Sequence, residues 1–291
     1  MAIFTEQAPA KVNLTLRILG RRPDGYHELE SLVGFAGIGD LVTLDPGLPA
    51  DLEVTGPFAD GIDGPNLVGR ALQLVKAAHP RMQLGRVMLD KRLPVAAGLG
   101  GGSADAAALL RGLRRANPDA EQPIDWPGLA LRLGADVPVC LAGRPALMRG
   151  IGERVTPCDL PVFAAVLVNA MAAVPADKTG RVFQALAAGP FAATRQETVV
   201  FRPDSLAGLV ALMRAHGNDL ERPAIAVMPT ISEVKAALVA SAGCVHAQLS
   251  GAGPTCFGVF TSAVEARRAS VTIAGAAPSW WVRETTIGGQ I

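Results

Sequence analysis

The chain has 291 residues, 49 % of them apolar and 18 % charged, with a mean hydropathy of +0.30. That is enough to bury a full core in one large domain or two smaller ones, and it excludes a disordered chain. The 27 basic and 26 acidic side chains leave a net charge of +1, so no electrostatic case arises for nucleic acid or an anionic membrane as partner, and affinity for phosphate must be local. The longest apolar stretch runs from Leu160 to Val168 and on to Val174, too short and too interrupted to span a bilayer. Met1 to Glu6 lack the basic and apolar regions of a signal peptide. Cys140, Cys158, Cys244 and Cys256 show no C-x-x-C spacing, and His27, His79, His216 and His246 are scattered. No metal site is expected, and the thiols fit a reduced, cytoplasmic setting, with Cys140 and Cys256 as core fillers.

Taken in chain order, Ala10 to Ile18 alternates Lys11, Asn13, Thr15 and Arg17 with apolar residues, which predicts a strand with one polar face. Arg21 to Gly25 is a turn, and extended chain follows through Leu32 and Phe35. Leu41–Leu44, Leu52–Val54 and Val87–Leu89 are further strands, with a helix from Asn66 to Ala78 between the last two. A helix runs from Ser103 to Arg115, and a shorter one, Leu129–Leu133, leads into a turn at Gly134–Pro138. Pro145 to Arg154 is irregular or extended, and Ala164–Asn169 is β-like. Leu206–Ala215 and Ile231–Ser241 are helical, and two apolar segments flank Ser250–Pro254. The mixture lacks strict βαβ alternation and predicts an α+β fold, with a seam near Pro157–Pro161 that divides the chain into 1–157 and 158–291.

The stretch from Pro94 to Ala104 carries the most chemical information. It reads Pro94, Val95, Ala96, Ala97, Gly98, Leu99, Gly100, Gly101, Gly102, Ser103, Ala104 and opens into the helix. Glycines admit positive φ and a close ligand, and Ser103 is a good N-cap. A bare loop feeding a helix N-terminus offers unpaired N–H groups and the positive dipole end, which suit a phosphate; a flexible turn of small residues is the plainer alternative. No lysine follows as a P-loop requires, the third glycine of the dinucleotide pattern is replaced by Ser103, and protein-kinase signatures are missing.

Two other residues could act on a phosphate held there. Lys11 sits on the polar face of the first strand, where a solvated lysine is the plain alternative. Asp136 stands among apolar neighbours and needs a partner, unless it serves only as a turn or capping residue. A cation beside the carboxylate would keep it ionised, and the pair could orient an attacking hydroxyl.

The glycine stretch resembles the phosphate loop of the GHMP kinase superfamily. Together with Pro9–Leu16, Arg22–Leu29 (containing Asp-Gly-Tyr-His), Leu133–Pro138, Asn218–Glu221 and Leu249–Phe257, it is similar to the GHMP kinases of cytidyl-methylerythritol type. These matches run from residue 9 to residue 257. The resemblance implies a two-domain GHMP kinase fold, with an N-terminal half like ribosomal protein S5 domain 2, a ferredoxin-like C-terminal half and the active site in the cleft between them. It implies ATP as co-substrate with Mg²⁺, and phosphorylation of an alcohol on a cytidine diphosphate substrate. By position, Asp136 matches the base and Lys11 its partner, while Asn13, Tyr26, His27 and Phe183 match residues that hold the substrate. Asn66 and Lys91 lie at nucleotide contacts, although Asn66 could simply cap a helix and Lys91 could be solvated. The segment Ala172–Gly180 departs from the related motif, and Ala252 and Pro254 are milder departures in the second glycine loop. That loop is expected to close over the phosphates or the substrate, or else to be a tight turn between strands. Another small-alcohol kinase of the superfamily and a non-catalytic nucleotide-binding regulator are the alternatives; the joint presence of Lys11 and Asp136 speaks against the latter.

Overall fold

The computed structural model describes residues 2–62, 66–118, 123–192 and 203–289. The first half contains β1 (Phe4–Asn13), β2 (Arg17–Arg21), β3 (His27–Asp45), β4 (Asp51–Thr55), α1 (Leu67–Ala78), β5 (Arg86–Asp90), α2 (Gly101–Ala116), α3 (Trp126–Leu133), α4 (Val137–Ala142), β6 (Ala146–Gly150) and β7 (Arg154–Pro157). The second contains β8 (Phe163–Asn169), α5 (Lys178–Leu186), α6 (Leu206–His216), α7 (Glu221–Val227), α8 (Thr230–Val239), β9 (Cys244–Leu249), β10 (Cys256–Phe260), α9 (Ala263–Ala276) and β11 (Trp281–Ile287). The α+β class holds. The expected seam falls in the link between β7 and β8.

Strand β3 is the axle. Along one edge it pairs with β2 through residues 27–30 and with β1 through residues 33–44. Along the other it pairs with β6 through Leu29–Val33 and with β5 through Leu41–Asp45. Between those two contacts lies Ala36, opposite Ile287 of β11, and there the second half joins the sheet. A Cβ on Gly34 would stand 2.8 Å from Ile287 Cγ2, so a residue without a side chain is what lets β11 come this near. The second half is an antiparallel sheet in the order β11-β8-β10-β9. That β8–helices–β9–β10–α9–β11 connectivity is ferredoxin-like.

Several local expectations are corrected. The predicted Ala10–Ile18 strand breaks at residues 14–16, where the chain leaves β1 and restarts as β2. Leu41–Leu44 is the end of β3 rather than a strand of its own, because pairing on both edges holds all 19 residues extended. Helix α2 begins at Gly101, so Ser103 lies inside its first turn and the N-cap position falls to Gly100. The Gly134–Pro138 turn runs on into α4, which carries a proline in its first turn. The extended alternative for Pro145–Arg154, by contrast, is met by β6, which is followed by the turn to β7. Helices α5, α7 and α9 and strand β11 escape the sequence pattern.

A buried cluster joins the halves: Ala10, Val12, Leu32 and Leu99 pack with Phe163, Leu167, Phe257 and Ile287. Shared burial of this kind should make the halves unfold together. Phe257 is fully buried, and Phe257→Ala should cost about 3–5 kcal/mol. Calorimetry is expected to show one transition in the parent chain and one, at lower temperature, in the variant. Two resolved transitions in the parent would contradict the shared core.

Candidate active site

The glycine loop is shaped around a lysine. Gly100 has φ +61°, and a Cβ there would lie 3.0 Å from Lys11 Cε and 3.2 Å from Lys11 Cβ. The Lys11 stem therefore runs directly under the loop, and the Lys11 N–H donates to the Leu99 carbonyl at 2.8 Å. Among the described residues no side chain caps α2. Its first-turn N–H groups are left for a ligand, and an anion suits them.

Lys11 Nζ lies 3.0 Å from Asp136 Oδ2 and donates to Asn13 Oδ1 at 3.1 Å. Asn13 Nδ2 donates to Ser31 Oγ at 2.7 Å, and Ser31 Oγ to the Thr15 carbonyl at 2.6 Å. This chain of bonds fixes the ammonium from below. Asp136 occupies the N-cap position of α4 but caps nothing with its side chain. Lys11 is buried, whereas the Asp136 side chain is 39 % exposed, so the carboxylate is the member of the pair open to a ligand.

A cleft of about 890 Å³ holds Lys11, Asn13, Tyr26, His27, Gly98, Gly100, Ser103, Asp136 and Phe183 of the predicted residues. In its lining the His27 and Phe183 rings stack at 4.6 Å and 27°, with the neighbouring Tyr26 exposed. Burial, followed by the Arg21 charge, lowers the His27 pKa below its usual value and favours the neutral ring. Phe183 comes from α5, so the helix absent from the sequence pattern supplies one wall.

Other predicted residues are placed differently. Asn66 is the N-cap of α1, its Oδ1 accepting from the Gly69 N–H at 2.8 Å, and it does not line the cleft. Lys91 is neither solvated nor free: it is buried, donating to Asp40 and, at 2.8 Å, to Asp105 Oδ2. From Pro94 to Ala104, only Gly98, Gly100 and Ser103 line the cleft; Ala97, Leu99 and Ala104 are core residues and Val95 is exposed. Pro94, Ala96, Gly101 and Gly102 likewise lie outside the lining.

The second glycine loop is both a turn and a neighbour of the first. It joins β9 to β10, and Ser250 Oγ donates to the Gly98 carbonyl at 2.9 Å while accepting from the Asn13 N–H at 3.2 Å. The Thr255 N–H donates to the Ala97 carbonyl at 3.1 Å. Asn218 Nδ2 holds this loop through the carbonyls of Leu249, at 2.9 Å, and Gly251, at 2.8 Å. Among the lining residues that sequence reasoning missed are Arg21, Lys178 and Thr179, which lie outside the quoted motifs, and Gly25, Ala135, Leu220, Gly251 and Ala252, which lay within them and were open to discovery.

Comparison with known proteins shows the family of the chain. The profile of the GHMP kinases N terminal domain matches residues 66–144, and that of the GHMP kinases C terminal matches residues 202–276. A Paramagnetospirillum magneticum protein is 46 % identical over 284 residues, covering 97 % of this chain and 98 % of its own. The chain belongs to the GHMP kinase family. That relative and one from Paracoccus denitrificans (48 % identical, 95 % of this chain and 94 % of its own) are both named 4-diphosphocytidyl-2-C-methyl-D-erythritol kinase. A crystal structure of 4-(cytidine 5'-diphospho)-2C-methyl-D-erythritol kinase superposes with a TM-score of 0.77 at 37 % identity, over 98 % of this chain and all of that one. A homoserine kinase from Cytophaga hutchinsonii, at 17 % identity and a TM-score of 0.68, shares the fold.

Beneath the loop of this GHMP kinase, Lys91 serves two buried carboxylates. Burial opposes its charge, but Asp105 and Asp40 outweigh that and raise its pKa. Asp40 Oδ1 also accepts from the Arg92 N–H at 2.6 Å and the Leu93 N–H at 2.8 Å. Asp105 has no such help, and among the described residues its Oδ1 has no hydrogen-bond partner. Burial, against the opposing pull of Lys91 and with repulsion from Asp40, pushes the Asp105 pKa from 3.8 to about 8. The native state thus keeps a proton that the unfolded chain gives up near pH 4, so Asp105 makes stability fall as pH rises from about 4 to about 8. Asp105→Asn removes that slope. Its melting temperature relative to the parent should improve steadily from pH 5 to pH 8, and a constant difference would show that Asp105 is already ionised at pH 5.

Proposed function

We propose that this chain transfers the γ-phosphate of ATP to the 2-hydroxyl of 4-diphosphocytidyl-2-C-methyl-D-erythritol, in non-mevalonate isoprenoid precursor synthesis. The observation that carries the reading is a single cleft lined both by the His27–Phe183 ring stack and by the Lys11–Asp136 pair beside the uncapped start of α2. A pyrimidine fits against Tyr26, His27 and Phe183, since aromatic faces accept bases and neutral His27 can exchange hydrogen bonds with their edges.

The chemistry follows from this placement. ATP phosphates lie on the α2 N–H groups, with Ser103 adding its hydroxyl. Mg²⁺ arrives as part of the ATP substrate; among the described residues no group of three acidic, histidine or cysteine side chains is placed to hold a metal. Asp136 accepts a hydrogen bond from the substrate hydroxyl and aims its oxygen at the γ-phosphorus. As the new P–O bond forms and the bond to the ADP oxygen breaks, the hydroxyl proton passes to Asp136 and then to water. Lys11 holds Asp136 in its ionised, correctly turned form and offsets charge that builds on the transferring group. Positioning accounts for most of the acceleration and proton removal for less. The reading carries with it the cytoplasm, where ATP is supplied.

A coupled ADP-release assay with ATP, Mg²⁺ and the cytidyl substrate, alongside homoserine and mevalonate, tests the assignment. Turnover is expected with the cytidyl substrate alone, and Asp136→Ala should lower kcat by about 10²–10⁴-fold. Turnover of a different alcohol would refute the pyrimidine assignment. Phe183→Ala should raise KM for the cytidyl substrate about tenfold with kcat nearly unchanged, because stacking is lost equally in ground and transition states. A fall in kcat with constant KM would place Phe183 outside the base site.

A further inference from the structure

Lys178 is a buried cation that the mechanism above does not use. It is the first residue of α5, in the segment that departs from the related motif, and it lines the cleft. Its ammonium donates to the Ala96 carbonyl of the first glycine loop at 2.9 Å and to the Gly253 carbonyl of the second. Among the described residues no carboxylate lies within ion-pair distance of it; burial alone pushes its pKa down to about 8. The charged or titratable side chains that share the cleft are Lys11, Arg21, Tyr26, His27 and Asp136. Of these only Asp136 is anionic, and it is held by Lys11 at 3.0 Å. Neighbouring Asp177 instead faces the Gly180 N–H, at 3.3 Å.

An ammonium has three donors. Two are spent on carbonyls, which solvate a charge without neutralising it, and a buried charge without a counter-ion is costly. The place where that cost is relieved is the cleft, which Lys178 lines together with Gly98, Gly100 and Ser103 from the first loop and helix and Gly251 and Ala252 from the second loop. We propose that Lys178 is a phosphate-binding residue, its third N–H meeting phosphate oxygens of a ligand lodged in the cleft that both loops line, while the other two fasten those loops together. The inference rests on the kinase reading for its two candidate sources, the phosphates of ATP and the diphosphate of the cytidyl substrate.

The test is calorimetric titration of the full chain and of Lys178→Met with ADP, CDP and cytidine at pH 7. Affinity for ADP or for CDP is expected to fall about ten- to a hundredfold in the variant, while cytidine binds as before. A loss confined to ADP assigns the ATP phosphates, and one confined to CDP assigns the substrate diphosphate. Unchanged affinity for both, or an equal loss for cytidine, would reduce Lys178 to a brace between loops and overturn the proposal. Should the variant not fold, the parent decides alone: affinity for the affected nucleotide should fall about tenfold from pH 7 to pH 9 as an ammonium of pKa about 8 loses its proton, and a flat profile overturns the proposal. Turnover of the cytidyl substrate by the parent is measured separately. Its failure would sink the kinase reading while leaving the nucleotide titrations to judge Lys178.

Discussion

The Lys11 stem and the missing side chain of Gly100 occupy the same few ångströms, and much of the site is arranged around that contact. Because the loop can lie directly on the lysine, the ammonium emerges close to the start of α2 and reaches Asp136 from beneath. Because Asn13, Ser31 and the Thr15 carbonyl form a line of hydrogen bonds behind it, the ammonium has little freedom to turn away. A side chain at residue 100 would lift the loop or displace the lysine, and either movement would separate the start of α2 from the Asp136 carboxylate.

That local fit depends on a frame that brings distant segments together. Strand β3 carries β1 on one edge, and so places Lys11 and Asn13; its other edge receives both β6 and β11. The second half then delivers Ser250 to Gly98 and Phe183 to His27. Two loops rich in glycine, about 150 residues apart in the chain, come to touch through backbone carbonyls and one serine hydroxyl. The cleft is thus a property of the joined halves and belongs to neither.

What the sequence revealed and what it concealed divide along physical lines. Lys11, Asp136 and the glycine stretch were legible because each stands in a short segment whose residue types are unusual for its setting. The α+β class was legible from local periodicity. Ser103 was misread as a cap because the preference for serine at N-caps says nothing of a left-handed glycine three residues earlier, which took that position. Lys91 was misread because its partner Asp40 lies 51 residues away, and no local pattern announces a buried ion pair across strands. The same blindness hid Lys178, whose acceptors are main-chain carbonyls, and β11, whose alternation is weak because one short strand is packed by both halves.

The position of β11 has a consequence for how the chain comes into being. It is the last of the described strands in sequence, yet in the sheet it stands between β3 and β8. Until β11 has been made and docked, β8 has an uncovered edge and the middle of β3 has no neighbour on that side. Neither half completes its sheet before then. Contacts this far apart in sequence are slow to form, and exposed strand edges invite pairing with other chains. Loss of β11 would therefore leave the β8 edge open for good and cut the strand link between the two halves.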